Sequence, residues 1–137
     1  MTEVFLDTSF AIALSSVTDQ NHERAIKLAN QIETDRTRLV TTQAILLEIG
    51  NSLSKQKYRG AAIQLLESLE TDPSVEVVLL TNSLYKLAFN LFKQREDKEW
   101  GLVDCISFIV MKDKGITDAL TTDNHFQQAG FRVLLRD

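Results

Sequence analysis

The chain has 137 residues, 44% of them hydrophobic and 25% charged, with one proline and a net charge of −4. That length suits one domain around one core, and the composition excludes a disordered chain. The apolar runs are too short, or too often cut by a charge or a glycine, to cross a bilayer, so no membrane association is expected.

Residues 3–7 are mostly apolar, alternate little and end at Asp7, the pattern of a buried parallel strand. Thr8 or Ser9 can cap the helix that follows over about 10–17, and residues 18–21 form a polar break. A second helix is predicted over 22–34, with Ala25, Leu28, Ala29 and Ile32 on one face, then a strand over 38–42. A long helix over 43–57 carries Glu48, Gly60 marks a break, and another helix covers 61–70. Asp72-Pro73-Ser74 is a turn leading to a strand over 75–80, and residues 82–95 are helical. After a charged loop, a strongly apolar helix over 102–114 holds Asp104 and ends at Gly115. A strand over 118–122 ends at Asp123, a short helix follows to Ala129, and residues 131–135 form the last strand. Strands alternating with helices imply parallel pairing through right-handed crossovers. The expected architecture is a three-layer α/β/α sandwich with a parallel sheet of roughly five strands.

Four acids interrupt apolar runs: Asp7, Glu48, Asp104 and Asp123. Burying a charge is costly unless it is paired or bound to a metal. Asp7 and Asp123 end predicted strands, the edge at which parallel α/β sheets bind ligands. Glu48 and Asp104 lie on helices beside small or polar neighbours, Ala44, Asn51 and Ser52 for the first, Ser107 for the second. Plainer readings exist: Asp7 and Asp123 can cap helices, and Asp104 can offset a helix dipole. Together the four favour a shared cation, since close carboxylates otherwise repel. Oxygen ligands suit Mg²⁺ or Mn²⁺, and there is no Cys/His spacing for zinc. His125, two residues past Asp123, can touch substrate, although a helix-surface histidine is its plainer reading.

Other chemistries fit worse. The chain has no Gly-rich phosphate loop and no nucleophile elbow. Asp7 lacks both the second aspartate of an aspartyl phosphatase and the acidic pair of a receiver domain. Cys105 sits in an apolar run and reads as a core residue; a single cysteine fits a reducing, cytoplasmic setting. Glu3 and Asp7 occupy positions where an export signal would be basic. The acidic balance means that nucleic acid, if bound, must be held by a metal and by local basic groups. Lys55, Lys57, Arg59, Arg95 and Lys98 are the candidates, and Trp100 can stack a base or be partly buried at a helix start.

The opening strand ending Asp7-Thr8-Ser9, Glu48 in a helix of the first half, the stretch 97–108 around Asp104, and Ala119 to Phe126 followed by Ala129-Gly130-Phe131 resemble the motifs of PIN-domain proteins. The resemblance spans nearly the whole chain and implies a single PIN-like domain over residues 1–137. It implies a metal-dependent ribonuclease of the kind found as the toxin of VapBC-type toxin–antitoxin pairs. RNA would be hydrolysed by metal-activated water, with Mg²⁺ or Mn²⁺ held by Asp7, Glu48, Asp104 and Asp123. Thr8 or Ser9 would be an accessory hydroxyl, and Asp97 either a supporting acid or a loop residue. A homodimer is expected, and a cognate antitoxin in the groove lined by the two early helices. The alternatives are a non-catalytic PIN-like module that binds RNA or protein, and a phosphatase of small esters.

Overall fold

The computed structural model describes residues 2–136. The elements are β1 (Glu3–Leu6), α1 (Thr8–Ser15), α2 (His22–Asp35), β2 (Arg38–Thr42), α3 (Gln43–Ser52), α4 (Gln56–Thr71), β3 (Val75–Val78), α5 (Asn82–Gln94), α6 (Leu102–Lys114), β4 (Asp118–Leu120), α7 (Asn124–Gln128) and β5 (Arg132–Val133). The strands form one sheet in the order β3-β2-β1-β4-β5, and every pairing is parallel. From β1 the chain steps outward to β2 and β3, then returns to the other side of β1 for β4 and β5. Right-handed crossovers therefore put α1 to α4 on one face and α5 to α7 on the other. The packing agrees, with α1 against α2, α3 and α4, and α6 against α5 and α7. This is the expected three-layer sandwich.

The apolar signature of β1 follows from its place. Val4, Phe5 and Leu6 are buried in the middle of the sheet, covered on both faces. Phe10, Ile45 and Ile49 from α1 and α3, and Cys105, Phe108, Met111 and Phe126 from α6 and α7, complete the core. Phe108 meets Phe126 and Trp100 edge-on, with centroids 5.0 and 4.9 Å apart. Thr42 and Thr81 cap α3 and α5 by accepting from the N–H groups of Ile45 and Leu84. Gly115, at φ 69°, ends α6 in the left-handed region, as its position predicts.

Several boundaries differ from expectation. The break between the third and fourth helices lies at residues 53–55, and Gly60 sits inside α4. No atom lies within 4 Å of where its Cβ would stand, so this glycine answers no packing need and costs the helix only about 1 kcal/mol. The first helix begins at Thr8, two residues early, with Asp7 at the N-cap position but without a capping bond from its side chain. β3 stops at Val78, leaving Leu79 63% exposed, and β4 stops at Leu120. Beyond the two residues of β5, Leu134 and Leu135 still donate their N–H groups to Ala119 and Thr121. On α5 the rings of Tyr85, Phe89 and Phe92 stack in a row on the surface.

Candidate active site at the strand ends

The reversal of strand order between β1 and β4 opens a crevice at their C-terminal ends, the usual ligand site of such sheets. Leu6 pairs with Leu120, so the next residues, Asp7 and Thr121, face each other where the strands finish. The Asp7 N–H extends the ladder to the Leu120 carbonyl at 3.2 Å. Its carboxylate, in a residue only 7% exposed, makes no capping bond to α1. It accepts instead from the Thr121 hydroxyl at 2.6 Å and the Ser9 hydroxyl at 3.4 Å. Thr121 has one proton, committed to Asp7, and its oxygen accepts the Asp123 N–H at 3.0 Å. Ser9 likewise accepts the Thr122 N–H at 3.1 Å. Two hydroxyls, that of buried Thr121 and that of half-buried Ser9, thus fasten the first acid to the turn that presents the last one.

Helices bring the remaining acids. Glu48, half-buried on α3, accepts the Thr8 hydroxyl at 2.6 Å. Asp104, in the first turn of α6, accepts the Gly101 N–H at 3.2 Å. Asp123 is the N-cap of α7 and accepts the His125 N–H at 2.9 Å. The ring Nδ1 of His125 stands 3.0 Å from Asp104 Oδ2 and 3.4 Å from Asp123 Oδ1. Single donor atoms of Asp104, Asp123 and His125 all lie within 4.8 Å of one another.

The electrostatics record the crowding. Burial pushes the Asp7 carboxyl up from its usual 3.8 to about 6, opposed by the Thr121 hydrogen bond and the adjacent Thr8 N–H and reinforced by the charges of Asp104 and Glu48. Asp104 is raised as well, first by burial and then by Asp123, with the His125 hydrogen bond acting against both. Buried or half-buried carboxyls pushed up by burial and by neighbouring acids, as Asp7 and Asp104 are, are what a divalent cation relieves. The carboxylate oxygens of Asp104 and Asp123 and a ring nitrogen of His125, within 4.8 Å of one another, could hold such an ion.

All four acids expected from the sequence meet at one sheet edge, in two halves. Asp104 and Asp123 converge with His125, while Asp7 and Glu48 are joined through Thr8. The helix-surface reading of His125 is corrected: its ring lies between two carboxylates, placed there by the first turn of α7. Its spacing from Asp123 was the one signal available. Thr121, which the sequence did not single out, is buried and ties Asp7 to Asp123. Of the two hydroxyls beside Asp7, Thr8 donates to Glu48 and Ser9 to Asp7. Asp97 is the loop residue of the two readings, held on the surface by Arg95 at 2.9 and 3.0 Å. Trp100 is buried and donates its indole N–H to Gln128, so it has no open face for a base.

Of the basic candidates, Lys98 lines a cavity of about 260 Å³ with His125 and Gln128. Arg95 is turned to Asp97, and Arg59 donates to the Ser54 carbonyl. A larger open cleft of about 980 Å³ runs beside Thr122 and is lined by Arg24, Lys27 and Arg136, none of which the sequence had marked.

Residues 4–132 match the PIN domain. The chain is 30% identical over 128 residues to the 23S rRNA-specific endonuclease VapC20 of Mycobacterium tuberculosis, covering 93% of this chain and 95% of that protein. The crystal structure of VapC20, described as a Sarcin-Ricin loop cleaving toxin, superposes with a TM-score of 0.81 at 28% identity over 93% of this chain and 95% of the other. VapBC2 from Rickettsia felis, bound to a DNA fragment from its promoter, shares the fold with a TM-score of 0.66 at 11% identity, covering 96% of each chain. The match over nearly the whole sequence, with the acids gathered where the strand order reverses, makes this chain a member of the PIN-domain family.

Proposed function

We propose that this protein is a metal-dependent endoribonuclease, the toxin of a toxin–antitoxin pair acting in the cytoplasm. The observation that carries the reading is the convergence of Asp7, Glu48, Asp104 and Asp123 at the β1/β4 switch point. These acids are the residues that would hold Mg²⁺ or Mn²⁺. Such an ion lowers the pKa of water and offsets charge on the scissile phosphate. The chain's own contribution is positional. Thr121 and Ser9 fix the Asp7 carboxylate, Thr8 fixes Glu48, and the caps of α6 and α7 fix Asp104 and Asp123. Asp104 and Asp123 keep side-chain exposures of 19% and 34%, so solvent and substrate reach them. With a net charge of −4, the chain needs basic groups flanking the acids to admit a polyanion, and Arg24, Lys27, Arg136 and Lys98 line the neighbouring cavities.

VapC20's action on 23S rRNA makes that RNA the first substrate to test. An antitoxin is supported by the VapBC architecture of the Rickettsia neighbour and by an apolar cleft of about 590 Å³ that Phe10, Leu14, Ala29, Ile32 and Leu65 line among α1, α2 and α4. The exposed aromatic row of α5 supports the homodimer expected from the family resemblance.

The test is cleavage of purified ribosomes and 23S rRNA with Mg²⁺ or Mn²⁺, beside an EDTA control and Asp7→Asn. Metal-dependent cuts lost in the variant support the proposal. RNA left intact with either ion, or RNA binding indifferent to metal and to Asp104→Asn, favours the non-catalytic module instead.

A further inference from the structure

The oxygen-only ligand set expected from the sequence is not what the strand ends present. His125 Nδ1 lies 3.0 Å from Asp104 Oδ2 and 3.4 Å from Asp123 Oδ1. Donors on adjacent corners of an octahedron with bonds of ~2.1 Å stand roughly 3.0 Å apart, so the ring nitrogen stands near ligand spacing from both carboxylates, and the three residues offer donors within 4.8 Å of one another. The arrangement is built into the fold. The His125 N–H is bonded to Asp123 Oδ1, which sets the first turn of α7 against the carboxylate. The next residue, Phe126, is fully buried and packs on Phe5 and Phe108, anchoring that turn to the core.

We infer that His125 is itself a ligand of the bound ion, through Nδ1, and that its nitrogen biases the site toward a first-row transition ion such as Mn²⁺ over Mg²⁺. The inference rests on the reading of Asp104 and Asp123 as metal ligands. Its chemical basis is that Mg²⁺ is a hard cation that dehydrates reluctantly and takes oxygen donors, whereas imidazole suits transition ions. Three carboxylates with water would leave the choice of ion to supply; one nitrogen donor makes it a property of the protein. The competing arrangement keeps the His125–Asp104 hydrogen bond when metal is bound, so that the ring merely orients the carboxylate.

Metal binding to the full chain, without RNA, separates the two. Mn²⁺ is titrated by electron paramagnetic resonance and Mg²⁺ by competition, for the wild type, His125→Ala, His125→Gln and Asp104→Asn. Pulsed measurements on the Mn²⁺-loaded protein read nitrogen coupling directly. The wild type is expected to show nitrogen coupling that both His125 variants lose, which also rules out His22 as its source. His125→Ala is expected to weaken Mn²⁺ by about ten-fold or more, at least what loss of a merely supporting residue costs, while Mg²⁺ changes by less than about three-fold. Mn²⁺-loaded wild type without nitrogen coupling overturns the inference, and needs no variant to fold. Equal weakening of both ions in His125→Ala and His125→Gln overturns it too, since that is the mark of an orienting residue. If Asp104→Asn loses both ions but the wild type shows no nitrogen coupling, His125 is rejected and the nuclease reading survives. If the wild type binds neither ion, both fall.

Discussion

Replacing Asp7 by Asn should stabilise the metal-free protein while abolishing its activity. The carboxyl is buried, and in the folded state its pKa stands at about 6 against an ordinary 3.8. The folded protein therefore binds this proton more tightly than the unfolded chain does. Stability from the neutral form is fully present below pH 3.8 and is lost as pH rises through about 6. Above that range the folded protein carries the whole cost of the buried charge, about 3 kcal/mol at 1.36 kcal/mol per pH unit. An asparagine removes the charge, and its carbonyl can still accept from Thr121. In EDTA at pH 7.5 the variant should gain up to about 3 kcal/mol, which for a chain of this size raises the melting temperature by roughly 10 °C. At pH 5 the wild type recovers close to half of that, so the advantage should shrink by about half. Saturating Mn²⁺ should narrow or reverse the difference, because the wild type gains more from the ion than a variant that lacks one of the acids. Urea and thermal unfolding at the two pH values measure this. A variant that melts at or below the wild type at pH 7.5, or whose advantage is the same at both pH values, would refute the claim that Asp7 is a charge buried for function rather than for folding.

Other substitutions test the supports of the site. Thr121→Val removes the hydroxyl that donates to Asp7 and accepts from Asp123, and should cost about 1–3 kcal/mol in urea unfolding together with most RNA cleavage. Glu48→Gln leaves a half-buried residue that still accepts from Thr8, so stability should stay within about 1 kcal/mol while cleavage falls at least about ten-fold. A Glu48→Gln protein that cleaves RNA normally would remove this acid from the site. Phe126→Ala empties a fully buried position between Phe5 and Phe108, and a loss of about 3–5 kcal/mol should show in thermal melts. Because α7 carries Asp123 and His125, its Mn²⁺ affinity should fall as well.

The fold was legible because its signals are local. Val4, Phe5 and Leu6 read as a doubly covered strand from their lack of alternation, and Gly115 read as a helix end from its position. Gly60 misled because a lone glycine costs a long helix little once neighbouring turns are packed, so Gln56–Thr71 runs through it. Asp7, Glu48, Asp104 and Asp123 stood out for the energetic reason that charges do not lie in apolar runs without a purpose.

What the sequence determined by itself was therefore the kind of residue and its place along the chain: which acids stand in apolar runs, and that Asp7 follows the first strand. The tertiary structure alone decided who meets whom. Thr121 and Asp7 are 114 positions apart and become neighbours only because β1 and β4 pair in one particular register. His125 looks like any helix histidine until α7 packs its Phe126 into the core and turns the imidazole between Asp104 and Asp123. Long-range pairing leaves no trace in local composition, since loop closure and register are settled by the packing of the whole chain.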